Sequence, residues 1–84
     1  MDKDEIKNVG MDLKAIVRIG KKGINDSMVE EINRLLEDKE IIKIKVLRNN
    51  PIQDIEETSK ILEDKTIGEV VEIRGKTILM YYEE

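Results

Sequence analysis

Apolar residues recur along this chain in two rhythms, and the places where one gives way to the other divide it into seven elements. Over residues 4 to 13, Ile6, Val9 and Leu13 fall at helical spacing, interrupted by Gly10, and predict a short first helix. Lys14 to Ile19 alternates Ala15, Val17 and Ile19 against Lys14, Ile16 and Arg18, the period of a strand. Asn25 then stands where a cap belongs. The helix after it carries Val29, Ile32, Leu35 and Leu36 in one stripe and Glu30, Glu31, Arg34 and Glu37 on the other side. Residues 41 to 47 (IIKIKVL) are rich in β-branched side chains and set Ile42, Ile44 and Val46 against Lys43 and Lys45, a second strand with one buried face. Asn50-Pro51 predicts the start of a third helix, with Asn50 as cap and Pro51 at the first helical position, where its missing N–H costs nothing. Ile52, Ile55, Ser59 and Leu62 mark the inner side of that helix. Residues 69 to 74 and 77 to 82 read as two strands folded back on each other around Gly75.

The order helix, strand, helix, strand, helix, strand, strand predicts a two-layer α/β fold with helices packed on a four-stranded sheet. Two successive strand-helix-strand units imply right-handed crossovers and one direction for the first three strands. Their C-terminal ends then share one edge, the side on which open α/β sheets take their ligands. That edge would gather Arg18, Lys21 and Lys22 after the first strand, Arg48 after the second, and Arg74 and Lys76 at the hairpin. Lys43 and Lys45, on the polar side of the second strand, either line the same surface or keep it soluble.

Charge sharpens this picture. The chain has a formal net charge of -4, yet residues 43 to 48 hold three cations and no acid, and residues 1 to 25 hold six cations against four acids. The surplus acid lies mainly on the helices, so an acidic protein can still present a basic edge. Eighty-four residues make one domain, 1 to 84, with a single small core. Without cysteine or histidine the chain lacks disulfides, thiolate metal sites, the usual general base and the usual soft nucleophile. Ser27 and Ser59 sit on predicted helices without a partner, and the paired glutamates 30-31 and 56-57 suit solvated helical faces. No catalytic, cofactor or metal site is therefore expected. The charged start and the want of any run near 20 apolar residues predict neither a signal peptide nor a membrane span, and the cytoplasm is the expected compartment. Charged residues at 40% with abundant Lys, Glu and Ile match proteins that work at high temperature. Phe and Trp are absent, and Tyr81 and Tyr82 are neighbours on a strand, so at most one of them can stack on a base.

The stretch RIGKKG, Arg18 to Gly23, concentrates charge where a strand passes into a helix. Gly20 and Gly23 permit unusual dihedrals and let a polynucleotide backbone approach without a Cβ in the way, while Lys21 and Lys22 supply mobile cations. The following helix points its unpaired N–H groups at the same loop. K-homology RNA-binding domains clamp backbone with a G-x-x-G loop of this kind. Taken alone GKKG reads first as a tight turn with lysines in solvent, and it lacks the length and the Lys-Ser/Thr ending of a Walker A loop.

The surroundings add specificity. Leu13 to Asp26 (LKAIVRIGKKGIND), then Val29-Glu-Glu-Ile32, then Ile42 to Leu47 (IKIKVL) and the hairpin from Ile73 to Tyr81 (IRGKTILMY) together resemble the CRM, or YhbY-like, domain, in order from about Ile6 to Tyr82. The resemblance implies a mixed four-stranded sheet with helices packed on it, similar to the C-terminal domain of bacterial translation initiation factor three. It implies an RNA-binding module, since stand-alone bacterial members associate with precursors of the large ribosomal subunit and plant members act in organellar intron splicing. Gly20, Lys21, Lys22 and Gly23 match the family's RNA-contacting loop. Two departures are visible: the first helix begins with Asp2, Asp4 and Glu5 where relatives are basic, and Ala15 stands where proline is common. The expected function is thus non-catalytic RNA binding in large-subunit assembly or RNA maturation. The alternative is a protein-interaction module docking on a ribosomal protein or on itself, and an anion nest for a small phosphate ligand ranks last.

Overall fold

The computed structural model describes residues 1–84 in full. Seven elements follow in the expected order: α1 (Lys3–Asp12), β1 (Val17–Ile19), α2 (Asp26–Lys39), β2 (Ile41–Val46), α3 (Ile55–Lys65), β3 (Glu69–Arg74) and β4 (Thr77–Tyr81). The strands form one mixed sheet in the order β1-β2-β4-β3. β1 and β2 pair in parallel, and β4 pairs antiparallel with β2 and with β3. The first three strands therefore share a direction, and the last inserts itself between the second and third.

Side-chain alternation divides the interior between the two faces of this sheet. On one, Val17, Ile19, Ile42, Ile44, Val46, Ile78 and Met80 meet Ile32 and Leu36 of α2 and Leu62 of α3. On the other, Ile41, Leu79 and Tyr81 meet Ile6 of α1. The α/β expectation is met, with α1 adding a small third layer on the second face.

Three local expectations are corrected. In α1 the inward residues are Ile6 and Gly10, while Val9 is 40% exposed. Gly10 is the point of closest approach, because a Cβ there would lie 2.6 Å from a Leu79 methyl. The first strand is shorter than predicted, beginning at Val17, although Ile16 N–H still donates to the Lys43 carbonyl at 3.0 Å. The third helix begins at Ile55 instead of Pro51, capped by Asp54, whose carboxylate accepts from Glu56 N–H at 2.9 Å. Asn50 cannot cap it because its side chain is turned inward, 2% exposed, with Nδ2 donating to the Ile52 carbonyl at 2.7 Å. The cap expected at Asn25 is present, with Oδ1 accepting from Met28 N–H at 2.9 Å.

Candidate nucleic-acid interface

The C-terminal ends of β1, β2 and β3 lie along one edge of the sheet, and backbone bonds tie their connections together. Leu47 N–H donates to the Ile19 carbonyl and Val46 N–H to the Lys76 carbonyl, both at 2.8 Å. The turn carrying Lys21 and Lys22, the loop carrying Arg48, and the hairpin carrying Arg74 and Lys76 consequently leave the sheet side by side. All five of these side chains, and Arg18 before them, belong to exposed residues.

The GKKG segment is a closed turn: Gly23 N–H donates to the Gly20 carbonyl at 2.9 Å, leaving Lys21 and Lys22 at its two central positions. Gly23 has φ +65° and is buried, and a Cβ on it would touch Pro51 at 3.5 Å. A Cβ on Gly20 would lie 3.3 Å from Asn49 Oδ1. The glycines thus seat the turn on the loop of residues 47 to 51. That loop is fixed from within by Asn50, whose Nδ2 also reaches Thr58 Oγ1 at 3.4 Å and whose carbonyl accepts from Gln53 Nε2 at 2.8 Å. The α2 N-terminus behind the turn is partly occupied, since the Asn25 cap takes the Met28 N–H and exposed Asp26 follows it.

The remaining expected residues lie on the sheet face that α1 shares. Register puts Arg18 beside Lys45, Lys45 opposite Thr77, and Thr77 opposite Arg74, so one transverse rank across all four strands reads Arg-Lys-Thr-Arg. Lys43 stands one rank further from the edge, opposite Leu79, and is half-buried. α1 covers the end of this face at Ile41, Leu79 and Tyr81 and leaves the cationic end open. A register shift between Val70 and Glu72 sets Arg74 in the rank. The one extra residue turns Glu72 and Arg74 toward this face, where an unbroken alternation would have turned them toward the helices. Glu72 makes the one ion pair in the molecule, 3.7 Å from Arg74, and Arg74 remains 69% exposed. The other seven expected cations have no carboxylate partner.

The opposite end of the sheet is acidic. Glu37, Glu40, Glu83 and Glu84 surround Tyr82 in a shallow hollow, and Tyr82 N–H donates to the Glu40 carbonyl at 2.9 Å. The Tyr81 phenol is pushed above its ordinary value, first by burial and then by Glu83, Glu40 and Glu69. Neither tyrosine belongs to the basic edge. No group of three His, Cys, Asp or Glu side chains converges as a metal site requires, and no helix is long and apolar enough to cross a membrane.

The sequence expectation did not include Thr77, which bridges the rank, and assigned Asn50 to a helix cap instead of the loop beneath the turn, which it anchors. The Val70-Val71 doublet, a break in strand alternation, was the available sign of the bulge.

Three comparisons bear on the arrangement. The family model described as the CRS1/YhbY (CRM) domain matches residues 1–82. The chain is 35% identical over 71 residues to a Bacillus subtilis (strain 168) protein named "Probable RNA-binding protein YqeI", covering 84% of this chain and 73% of that one. It is similar to the solution structure of the hypothetical protein SAV1595 from Staphylococcus aureus, described as a candidate RNA-binding protein. The TM-score is 0.80 at 35% identity, over 98% of this chain and 84% of the other.

Proposed function

The chain belongs to the CRS1/YhbY (CRM) domain family, and on that footing we propose that it is a non-catalytic RNA-binding protein working in the cytoplasm. It holds RNA backbone with Lys21 and Lys22, presented by the Gly20 and Gly23 turn, together with Arg18, Lys43, Lys45, Arg48, Arg74 and Lys76. The observation that carries this reading is the convergence of eight cations from three separate segments on one edge and one open half-face of a protein whose net charge is negative. The chemistry is electrostatic, with close backbone approach at the turn and no reacting group required. By the function that the family resemblance implies, the RNA is ribosomal or a precursor of the large subunit, and the setting is its assembly or maturation.

Affinity for ribosomal RNA measured by fluorescence anisotropy should fall with salt along a log-log slope of roughly -3 to -5, the range for a handful of phosphate contacts. Lys21→Glu with Lys22→Glu should weaken binding steeply. A salt-independent affinity, or one indifferent to that double reversal, removes the proposal. The acidic hollow around Tyr82 favours one second reading, docking of a basic ribosomal protein at the far end. In that case partner capture survives nuclease treatment.

A further inference from the structure

We infer that the RNA taken by this surface is double-helical and is held by phosphates of both its strands; the inference rests on the RNA-binding reading above and narrows its ligand. The rank Arg18, Lys45, Thr77, Arg74 crosses all four strands. Three spacings of about 4.8 Å separate its first and last backbones, so the cations at its ends stand about 14 Å apart at their roots. Sheet hydrogen bonds fix that width. Lys21, Lys22, Arg48 and Lys76 extend the charge in a second direction, past the strand ends.

A single strand offers its phosphates in one flexible line and must be ordered and bent to meet both sets of cations, which subtracts from affinity. A duplex presents two rows of phosphate already rigid and spaced. The wide, shallow minor groove of A-form RNA also suits a flat face, where fixed cations reach its rims without entering a deep cleft. This face has only a small hollow, bordered by Gly10, Met11, Lys43, Thr77 and the Glu72–Arg74 ion pair.

The missing aromatics point the same way. Proteins that hold single strands stack bases on aromatic side chains. Here Phe and Trp are absent, Tyr81 is buried beside α1, and Tyr82 lies in the acidic hollow at the other end. What remains is backbone attraction, and each neutralised phosphate releases more counterion from a duplex than from a single strand.

The test compares a labelled RNA hairpin with a stem of about 16 base pairs and an unstructured strand of the same nucleotide number, by anisotropy over a salt series. The hairpin should bind about tenfold more tightly at equal salt. Arg18→Ala with Arg74→Ala, both exposed and outside the core, should make the hairpin's log-log slope shallower by about 2 and leave the single strand's nearly unchanged. Thr77→Asp, which puts a carboxylate at the centre of the rank, should weaken the hairpin selectively. Equal or tighter binding of the single strand overturns the inference while the RNA-binding reading stands, as does a hairpin slope indifferent to the Arg18 and Arg74 changes. Failure of both RNAs to bind overturns both.

Discussion

The two ends of the sheet are built from the same four strands and carry opposite charge. At the end where β1, β2 and β3 finish, Arg18, Lys21, Lys22, Arg48, Arg74 and Lys76 are exposed together. At the other, Glu37, Glu40, Glu83 and Glu84 crowd around Tyr82. The helix termini themselves follow the dipole, with Asp26 in the first turn of α2, Glu56 and Glu57 in the first turn of α3, and Lys39 and Lys65 in their last turns. Lys21 and Lys22 precede the positive N-terminus of α2. The exposed cations of the basic end are therefore an addition to helix ends that already satisfy their dipoles. Net charge of -4 says nothing about this, because the fold, not the total, decides where charge is felt.

The strongest way to break the comparison keeps the total constant. Reversing Lys21 and Lys22 to Glu while changing Glu83 and Glu84 to Lys holds the net charge at -4, and RNA affinity should still fall about a hundredfold, since the loop contacts are lost and replaced by repulsion. Anisotropy checks it, and an unchanged affinity would mean that only total charge matters.

A smaller effect separates the ends by stability. Asn50→Ala removes the buried anchor of the basic end and leaves the Thr58 hydroxyl and the Ile52 carbonyl short of a donor. It should cost about 1–3 kcal/mol in a urea titration. Glu83→Ala, at the exposed acidic end, should stay within about 0.5 kcal/mol.

The finest effect reads the acidic end directly. In a Tyr82→Phe variant the phenolate absorbance of Tyr81 should appear above the ordinary 10.0 and move back toward it when Glu83 is changed to Gln. Because the native value is raised, the neutral phenol's contribution to stability is fully present below the unfolded value and is lost as pH rises through the native one.

The fold was legible where burial follows period alone. Ile32 and Leu36 in α2 and Ile42, Ile44 and Val46 in β2 face the core as their spacing demands. It was illegible where one residue serves a distant neighbour. Gly10 reads as a weak helix position until Leu79 is seen beside it, and Asn50-Pro51 reads as a helix start until Thr58 is found across the loop. The candidate site divides in the same way. Its cations could be gathered from strand directions, but their alignment in one rank depends on strand order and on the bulge in β3, and no local pattern records that β4 lies between β2 and β3.

That placement has a consequence for the time at which the surface comes into being. During synthesis β1, β2 and β3 emerge first, yet β3 has no neighbour in the sheet until residues 77 to 81 have followed. Until then β2 and β3 keep open edges, and the two halves of the cation rank have no Thr77 to join them. A chain that ends before residue 77 already holds all eight cations, but of the rank only Arg18 and Lys45 are set side by side, through the pairing of β1 with β2. The rank from Arg18 to Arg74 is therefore continuous only in the completed fold, when Thr77 stands between Lys45 and Arg74.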